Sequence, residues 1–305
     1  MAKTYSGLAR LPRGQASEKL IHGCLVLEGG AFRGLYTQGF LDTMMQFDLN
    51  LDCVIGVSAG ALSGVSYVSG QIGRSGRINL GYRHAPRYVG WRALLHSRSL
   101  LDIGFLTEDR GILEPMDMAR FQRPEQRFVA VATNCLTGEP AYFEKGKCGN
   151  GQCSDILLGV RASATMPYIS PPVLIDGVPY MDGGCSCSIP YQWVIDLGSE
   201  KILVIKTRDV SFRKEAKISG AALRLYHKWP AFARKLSESS LRYNEECAEV
   251  ERLHAEGRLF RIAPSRPVTV SRVEKDMEKL GALYHQGQED CLVLLREMRA
   301  YLEMT

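Results

Sequence analysis

Apolar residues fall along this chain in short unbroken runs that end at or near glycine, and longer mixed stretches follow them. The first run, residues 23–28, reads as a strand; Gly29-Gly-Ala-Phe-Arg-Gly34 comes next, then a helix through about residue 47. A second unit repeats the order, with a strand over 52–55 and a helix running from Ser58 to roughly residue 70. Continuous apolarity over so few residues marks strands covered on both faces. Two strand-loop-helix units in succession predict parallel pairing with right-handed crossovers. Any ligand site is then expected beyond the carboxyl ends of these strands.

Further along, residues 71–123 are rich in Gly and Arg and then mixed, with a helix suggested over 88–95 and a short apolar segment at 103–106. Phe128-Val-Ala-Val-Ala-Thr133 is a clear strand pattern, and residues 140–143 form a weaker edge strand beyond the turn at Thr137-Gly-Glu. A helix is expected over 155–162. Residues 165–184 hold Pro167, Pro171, Pro172 and Pro179 around short strands at 173–175 and 179–181. Proline fixes φ and withholds a ladder donor, so this stretch reads as a rigid loop region. A helix over 191–197 leads into a strand at 201–206, and beyond Arg213 the pattern is largely helical until a last strand at 258–262. Met277, Leu280, Leu283, Tyr284, Leu292, Leu295 and Met298 then stripe an amphipathic helix within 274–302.

Composition narrows the class. With 305 residues, 45% hydrophobic and 23% charged, the chain can bury at least one substantial core. Residues 1–20 contain basic positions but no continuous apolar stretch, so no secretory signal or membrane span is expected and a cytoplasmic location is the default reading. Nine cysteines, several inside strand-like runs, read as reduced thiols rather than a disulfide framework. Cys148 and Cys153, with Cys185 and Cys187, lack the spacings of a zinc site and have no neighbouring His, so no metal is expected.

Charge is uneven around a modest net +5. Residues 53–101 contain no Asp or Glu but hold Arg74, Arg77, Arg83, Arg87, Arg92 and Arg98. Residues 201–243 carry eleven Lys and Arg against three acids, interleaved with Phe212, Leu223, Leu225, Tyr226, Trp229 and Phe232. That mixture suits peripheral contact with an anionic membrane surface, and equally a solvated basic face with its aromatics packed inward. No base-reading module is visible, so nucleic acid is not an expected partner.

The candidate chemistry begins at Asp52-Cys-Val-Ile-Gly-Val-Ser-Ala-Gly-Ala61, a buried strand, a glycine-flanked turn carrying Ser58, and the start of a helix. Gly56 and Gly60 stand two residues either side of Ser58, where a Cβ would crowd strand against helix. This G-x-S-x-G turn is how an α/β protein exposes a serine hydroxyl beside helix N-terminal amides. Amides near Gly29, Gly30 and Ala31 are candidates for an oxyanion hole. A plain packing turn has the same pattern, whereas a nucleotide loop lacks its G-K-[ST] and meets Ala31 at the second glycine position. In Tyr180-Met-Asp-Gly-Gly184, Asp182 is presented on a tight turn, and no histidine in the chain has a triad-like cue.

Together these segments resemble the patatin-like phospholipase family: Gly29-Gly-Ala-Phe-Arg-Gly34 its oxyanion motif, Gly56-Val-Ser-Ala-Gly60 its nucleophile motif, and Asp182-Gly-Gly184 its second catalytic motif. Ala162-Ser-Ala-Thr-Met-Pro-Tyr168 followed by Pro171-Pro172 resembles the region leading into the aspartate in bacterial members. The resemblance covers roughly residues 22–208 and implies a three-layer α/β fold, with a mostly parallel central sheet and helices on both faces. Residues 1–21 then form an N-terminal extension, and 209–305 a mainly helical part packed on the same domain.

What it implies chemically is a lipid acyl hydrolase working through a Ser58–Asp182 dyad, with no cofactor and no metal, on a phospholipid or other acyl ester. Family members commonly have a third glycine where this chain has Ala31; the amide survives, but the methyl group matters if that residue needs positive φ. Arg33 is assigned either to steering a headgroup or to ordering the glycine loop, and Tyr168, Phe32 and Met181 are candidates for an acyl slot. A carboxylate with an ordinary pKa near ~3.9 is a poor base toward serine, so its environment is expected to raise it. A soluble esterase or thioesterase on small acyl esters and a non-catalytic membrane-surface binding protein are the competing readings. Oligomeric state is not legible.

Overall fold

The computed structural model describes residues 4–85, 114–147 and 156–303. The expected elements at 88–95 and 103–106, and Cys148, Cys153 and His96, lie outside the described residues. Ten strands are described: β1 (Gly14–Gln15), β2 (Ile21–Leu27), β3 (Leu51–Val57), β4 (Gln71–Ile72), β5 (Arg127–Asn134), β6 (Pro140–Glu144), β7 (Val173–Ile175), β8 (Val178–Asp182), β9 (Ile202–Ile205) and β10 (Phe260–Ile262). The helices are α1 (Gly34–Gln46), α2 (Ala59–Val68), α3 (Arg74–Tyr82), α4 (Met118–Phe121), α5 (Ile156–Ser163), α6 (Tyr191–Asp196), α7 (Gly220–Leu225), α8 (Pro230–Ser237), α9 (Ser239–Ala255) and α10 (Met277–Tyr301).

Eight strands form one sheet in the order β10-β9-β2-β3-β5-β8-β7, with β6 paired to β5 off that path. The pairs from β10 to β5 are parallel, and β6, β8 and β7 add antiparallel pairings at one end. Period-2 alternation divides the sheet's side chains between two cores. Leu25, Leu27, Val54, Phe128, Ala130, Leu203 and Ile205 face the larger core beneath α1, α2 and α10, while Cys24, Val26, Ile55, Val129, Val131 and Val204 face α6 and α9. Those short apolar runs are therefore covered from both sides, which is the expected three-layer fold.

Chain order places the switch point of the sheet at β2. From β2 the chain moves to β3 and β5 on one side and returns later through β9 on the other. The loop after β2 and the turn after β3 therefore open into the same crevice, where open α/β sheets bind ligands. Helix α1 is buried along nearly its whole length because α10 closes over it: a Cβ on Gly39 would lie 2.0 Å from the Tyr284 carbonyl oxygen, and one on Gly287 2.1 Å from that of Tyr36.

At this helix contact Asp42 is fully buried, accepting from the Tyr284 hydroxyl at 2.5 Å and the Gly73 amide at 2.7 Å. Burial raises its pKa from 3.8 to about 7, against the opposing pull of those donors. A carboxyl whose folded pKa lies above its unfolded value leaves stability intact at low pH and erodes it as pH rises between the two values. The accumulated loss is on the order of 4 kcal/mol above pH 7. Asp42→Asn is expected to flatten the pH dependence of the urea midpoint between pH 4 and 7, and an unchanged slope would contradict this account.

Candidate active site

Strand register brings the two key side chains to one level. Val57 at the end of β3 pairs with Val131 of β5, and the next β5 residue, Ala132, pairs with Asp182 at the end of β8. Ser58 follows Val57 directly, so hydroxyl and carboxylate meet across the end of β5. Ser58 Oγ donates to Asp182 Oδ2 at 2.7 Å, and both residues are buried to 8% exposure. Asp182 Oδ1 accepts from the Gly184 amide at 2.8 Å.

Ser58 has φ 54° and ψ −120°, a backbone state that side chains other than glycine seldom adopt and that surroundings must enforce. Two contacts enforce it here. A Cβ on Gly60 would stand 2.4 Å from the Leu27 carbonyl oxygen, and one on Gly56 2.6 Å from the Ala61 amide nitrogen, so α2 leans against β2 and β3 only because both are glycine. The Ser58 amide also donates to Ser163 Oγ at 2.8 Å, which anchors the turn to the end of α5.

The aspartate is held as tightly. Its amide donates to Thr165 O at 2.8 Å, its carbonyl accepts from Thr133 Oγ1 at 2.9 Å, and helix α9 grips the chain just beyond it. Arg242 donates to the Cys185 carbonyl, while Glu246 accepts from the Ser188 and Ile189 amides at 3.1 and 3.2 Å. Burial raises the Asp182 pKa, opposed by the Ser58 hydroxyl, the Gly184 amide and the positive charges of Arg272 and Lys214. The direction is the one a carboxylate needs to accept a proton from serine.

The amides of Gly29, Gly30 and Ala31 donate to no acceptor among the described residues and line the same cleft as Ser58. Ala31 has φ 49°, so the position with the extra methyl is indeed a positive-φ position. Arg33 is buried, and its Nε–H donates to Gly30 O at 3.1 Å, a contact that orders the glycine loop. Tyr168 lines the cleft, but two of the acyl-slot candidates do not: Phe32 packs on the main core with Arg83 4.3 Å above its ring, and Met181 is wholly buried. Both are core residues because their neighbours, rather than their size, decide where they point.

No described histidine reaches the pair. His22 meets Asp52, His84 the Lys275 carbonyl, His227 that of Arg224, His254 that of Leu259, and His285 meets Gln288 and Tyr5. Among the described residues no group of three or more His, Cys, Asp or Glu could hold a metal, and the described cysteines are unpaired thiols. Nor is any described helix long and apolar enough to cross a membrane.

A strained strand-turn-helix serine hydrogen-bonded to a buried aspartate, beside a loop of unpaired amides, is the arrangement of a serine hydrolase that uses a dyad. The chain belongs to the patatin-like phospholipase family, whose model matches residues 25–193. A second model, described as a domain of unknown function (DUF6363), matches residues 229–303. The chain is similar to the uncharacterized protein YjjU of Escherichia coli K12, 29% identical over 188 residues that make up 60% of this chain and 51% of YjjU. It is also similar to the lysophospholipase nte1 of Aspergillus terreus, 24% identical over 189 residues that cover 59% of this chain and 12% of that protein. The aligned part thus spans about half of the first relative and far less of the second. Among solved structures, VipD from Legionella pneumophila shares the fold, with a TM-score of 0.51 and 15% identity over 93% of this chain and 68% of that one.

Proposed function

We propose that this protein is a lipid acyl hydrolase, a serine esterase of phospholipase A type, with Ser58 as nucleophile and Asp182 as its base. Ser58 Oγ attacks the ester carbonyl as its proton passes to Asp182 Oδ2, and the amides of Gly29, Gly30 and Ala31 hold the oxyanion. The proton then goes to the departing alcohol, leaving an acyl-Ser58 ester. Water attacks that ester, gives its proton to Asp182, and releases the fatty acid as Ser58 Oγ is reprotonated. The 2.7 Å contact between Ser58 and Asp182 at the floor of a cleft is the observation that carries this reading.

A lipid rather than a small soluble ester is favoured by the rim. Tyr168 and Val273 line the cleft and are 51% and 58% exposed, and the Tyr168 amide donates to the Tyr226 hydroxyl at the end of α7. Leu223 and Leu225 of α7 are exposed as well, with Arg224 between them and Lys228 just beyond. Apolar side chains flanked by cations suit peripheral contact with an anionic membrane, with the inner membrane surface as the setting consistent with unpaired thiols. The 22–208 core then carries the reacting groups, and 209–305 shapes access to them.

Vesicles of mixed bacterial phospholipids incubated with the protein are expected to accumulate lysophospholipid and fatty acid, and a fluorophosphonate probe to label Ser58. Hydrolysis of soluble esters with no response to vesicles would favour the soluble esterase. Vesicle binding with neither labelling nor lipid turnover would leave only a binding protein.

A further inference from the structure

The cleft at Ser58 is lined by three cations that none of its acids pairs. Arg33 is 6% exposed and spends its Nε–H on Gly30 O, while its two terminal nitrogens donate to nothing among the described residues. Lys214 is fixed through its main chain, its amide donating to Asn244 Oδ1 at 2.8 Å and its carbonyl accepting from Asn244 Nδ2 at 2.9 Å. Its ammonium lies 3.9 Å from the centre of the Tyr243 ring and forms no ion pair among the described residues. Arg272, in the segment before α10, is exposed and also forms none among the described residues.

Several cations elsewhere in the fold are paired with acids: Arg77 with Glu114, Arg127 with Glu144, Lys206 with Glu251, Arg252 with Glu249 and Glu256. The acids lining this cleft are Glu28 and Asp182, and both are engaged otherwise. Glu28 accepts from the Thr207 amide, and Asp182 from Ser58 and Gly184. The Tyr243 ring lines the same cleft beneath Lys214, while its hydroxyl is buried on the side of Glu28 and Cys247. A largely buried guanidinium with two terminal nitrogens free of protein acceptors is unfavourable unless water or a ligand completes it.

The cations also act on one another. Burial, then Arg272 and, more weakly, Arg33, lower the Lys214 pKa to about 8 against the opposing pull of Glu28 and Glu246, and burial, then Arg208 and Arg272, lower that of Arg33 to about 10 against that of Glu28. Mutual repulsion of this kind is relieved by an anion placed among them.

We propose that Arg33, Lys214 and Arg272 bind the phosphodiester of a glycerophospholipid headgroup beside Ser58. This deepens the hydrolase reading and rests on it for the word substrate, though not for the binding. Lys214 and Arg272 both lie beyond the family match, and Arg272 falls within the segment whose model has no assigned function. That segment would thus supply recognition while residues 25–193 supply the reacting groups. A cleft of about 300 Å³ seats an ester, a headgroup phosphate and a short stretch of acyl chain, with the remainder of the lipid outside.

The test uses Ser58→Ala protein, so that nothing is turned over, and calorimetric titration with 1-hexanoyl-lysophosphatidylglycerol, monohexanoylglycerol and inorganic phosphate. The charged lipid is expected to bind at least about tenfold more tightly than the uncharged one. Adding Lys214→Met and Arg272→Gln together should bring that ratio to about one. Arg272→Gln alone alters only an exposed side chain, should lower the ratio by itself, and guards against a folding defect in the double variant. A ratio near one before those changes, or one untouched by them, overturns the proposal. Inorganic phosphate binding as tightly as the lysolipid would reassign the site to free phosphate and overturn the headgroup. Fluorophosphonate labelling of the wild type judges the hydrolase reading separately: a persistent affinity ratio without labelling keeps the anion site and sinks the hydrolase.

Discussion

Ser58→Ala is expected to lower ester turnover by about 10⁴-fold or more, because the substitution removes the atom that forms the acyl-enzyme bond and leaves only binding and the oxyanion donors. Its effect on stability should be small by comparison. The strained turn remains, since Ala at φ 54° meets the same restriction as Ser and Gly56 and Gly60 still hold the close packing. What disappears is one donor to a buried carboxylate. That loss costs about 1–3 kcal/mol where Asp182 is ionised and little where it is protonated. Fatty acid release followed by titration, with thermal midpoints at pH 5 and 8, separates the two effects. Turnover within tenfold of wild type would exclude Ser58 as the nucleophile.

The second large effect belongs to Asp182→Asn, expected to cut turnover by about 10³- to 10⁴-fold with nearly unchanged shape. An amide cannot take the serine proton, although its oxygen can still accept from one of the two donors now shared by Oδ1 and Oδ2. Stability should move the other way. Because burial raises the Asp182 pKa above 3.8, the wild type loses stability as pH rises from the unfolded value through the folded one. The asparagine variant escapes that loss, so its urea midpoint at pH 8 should equal or exceed that of the wild type. The same shift places the acid limb of wild-type activity above the ordinary carboxylate range. An enzyme still fully active at pH 4, or a variant with near-normal turnover, would point away from this carboxylate.

Much of this site is legible in the amino-acid pattern, for local reasons. The strands at β2, β3, β5 and β9 announce themselves as apolar runs because both faces are covered, and Ser58 and Asp182 stand out because close packing demands glycines beside them. Boundaries are less legible. The last strand begins at Phe260 rather than 258, and the final helix at Met277 rather than 274, where Asp276 caps it through the Glu278 and Lys279 amides.

Other features depend on contacts that no local pattern encodes. Helix α3 is missing from the sequence reading because arginines share its buried face with Ile78 and Leu80 and break the apolar period: Arg77 donates to the Pro12 and Ile72 carbonyls and pairs with Glu114. The two-residue pair of β1 with β4 is too short to show a period. Ser163, which holds the Ser58 amide, lies 105 residues away in the chain; its only sequence signal is the small-residue run Ala162-Ser-Ala-Thr165. Lys214 reads only as one basic position within 201–243 and Arg272 has no signal in the sequence reading, and only the folded chain brings them to the cleft of Arg33.

The hold of α9 on the loop after Asp182 bears on how this polypeptide can be divided. A fragment ending at residue 193, where the family match stops, would keep every reacting group yet lose Arg242 and Glu246, whose contacts fasten Cys185, Ser188 and Ile189. The boundary that sequence comparison draws is therefore not a safe place for scissors: a graft or minimal expression piece needs the clamp as well as the parts it clamps.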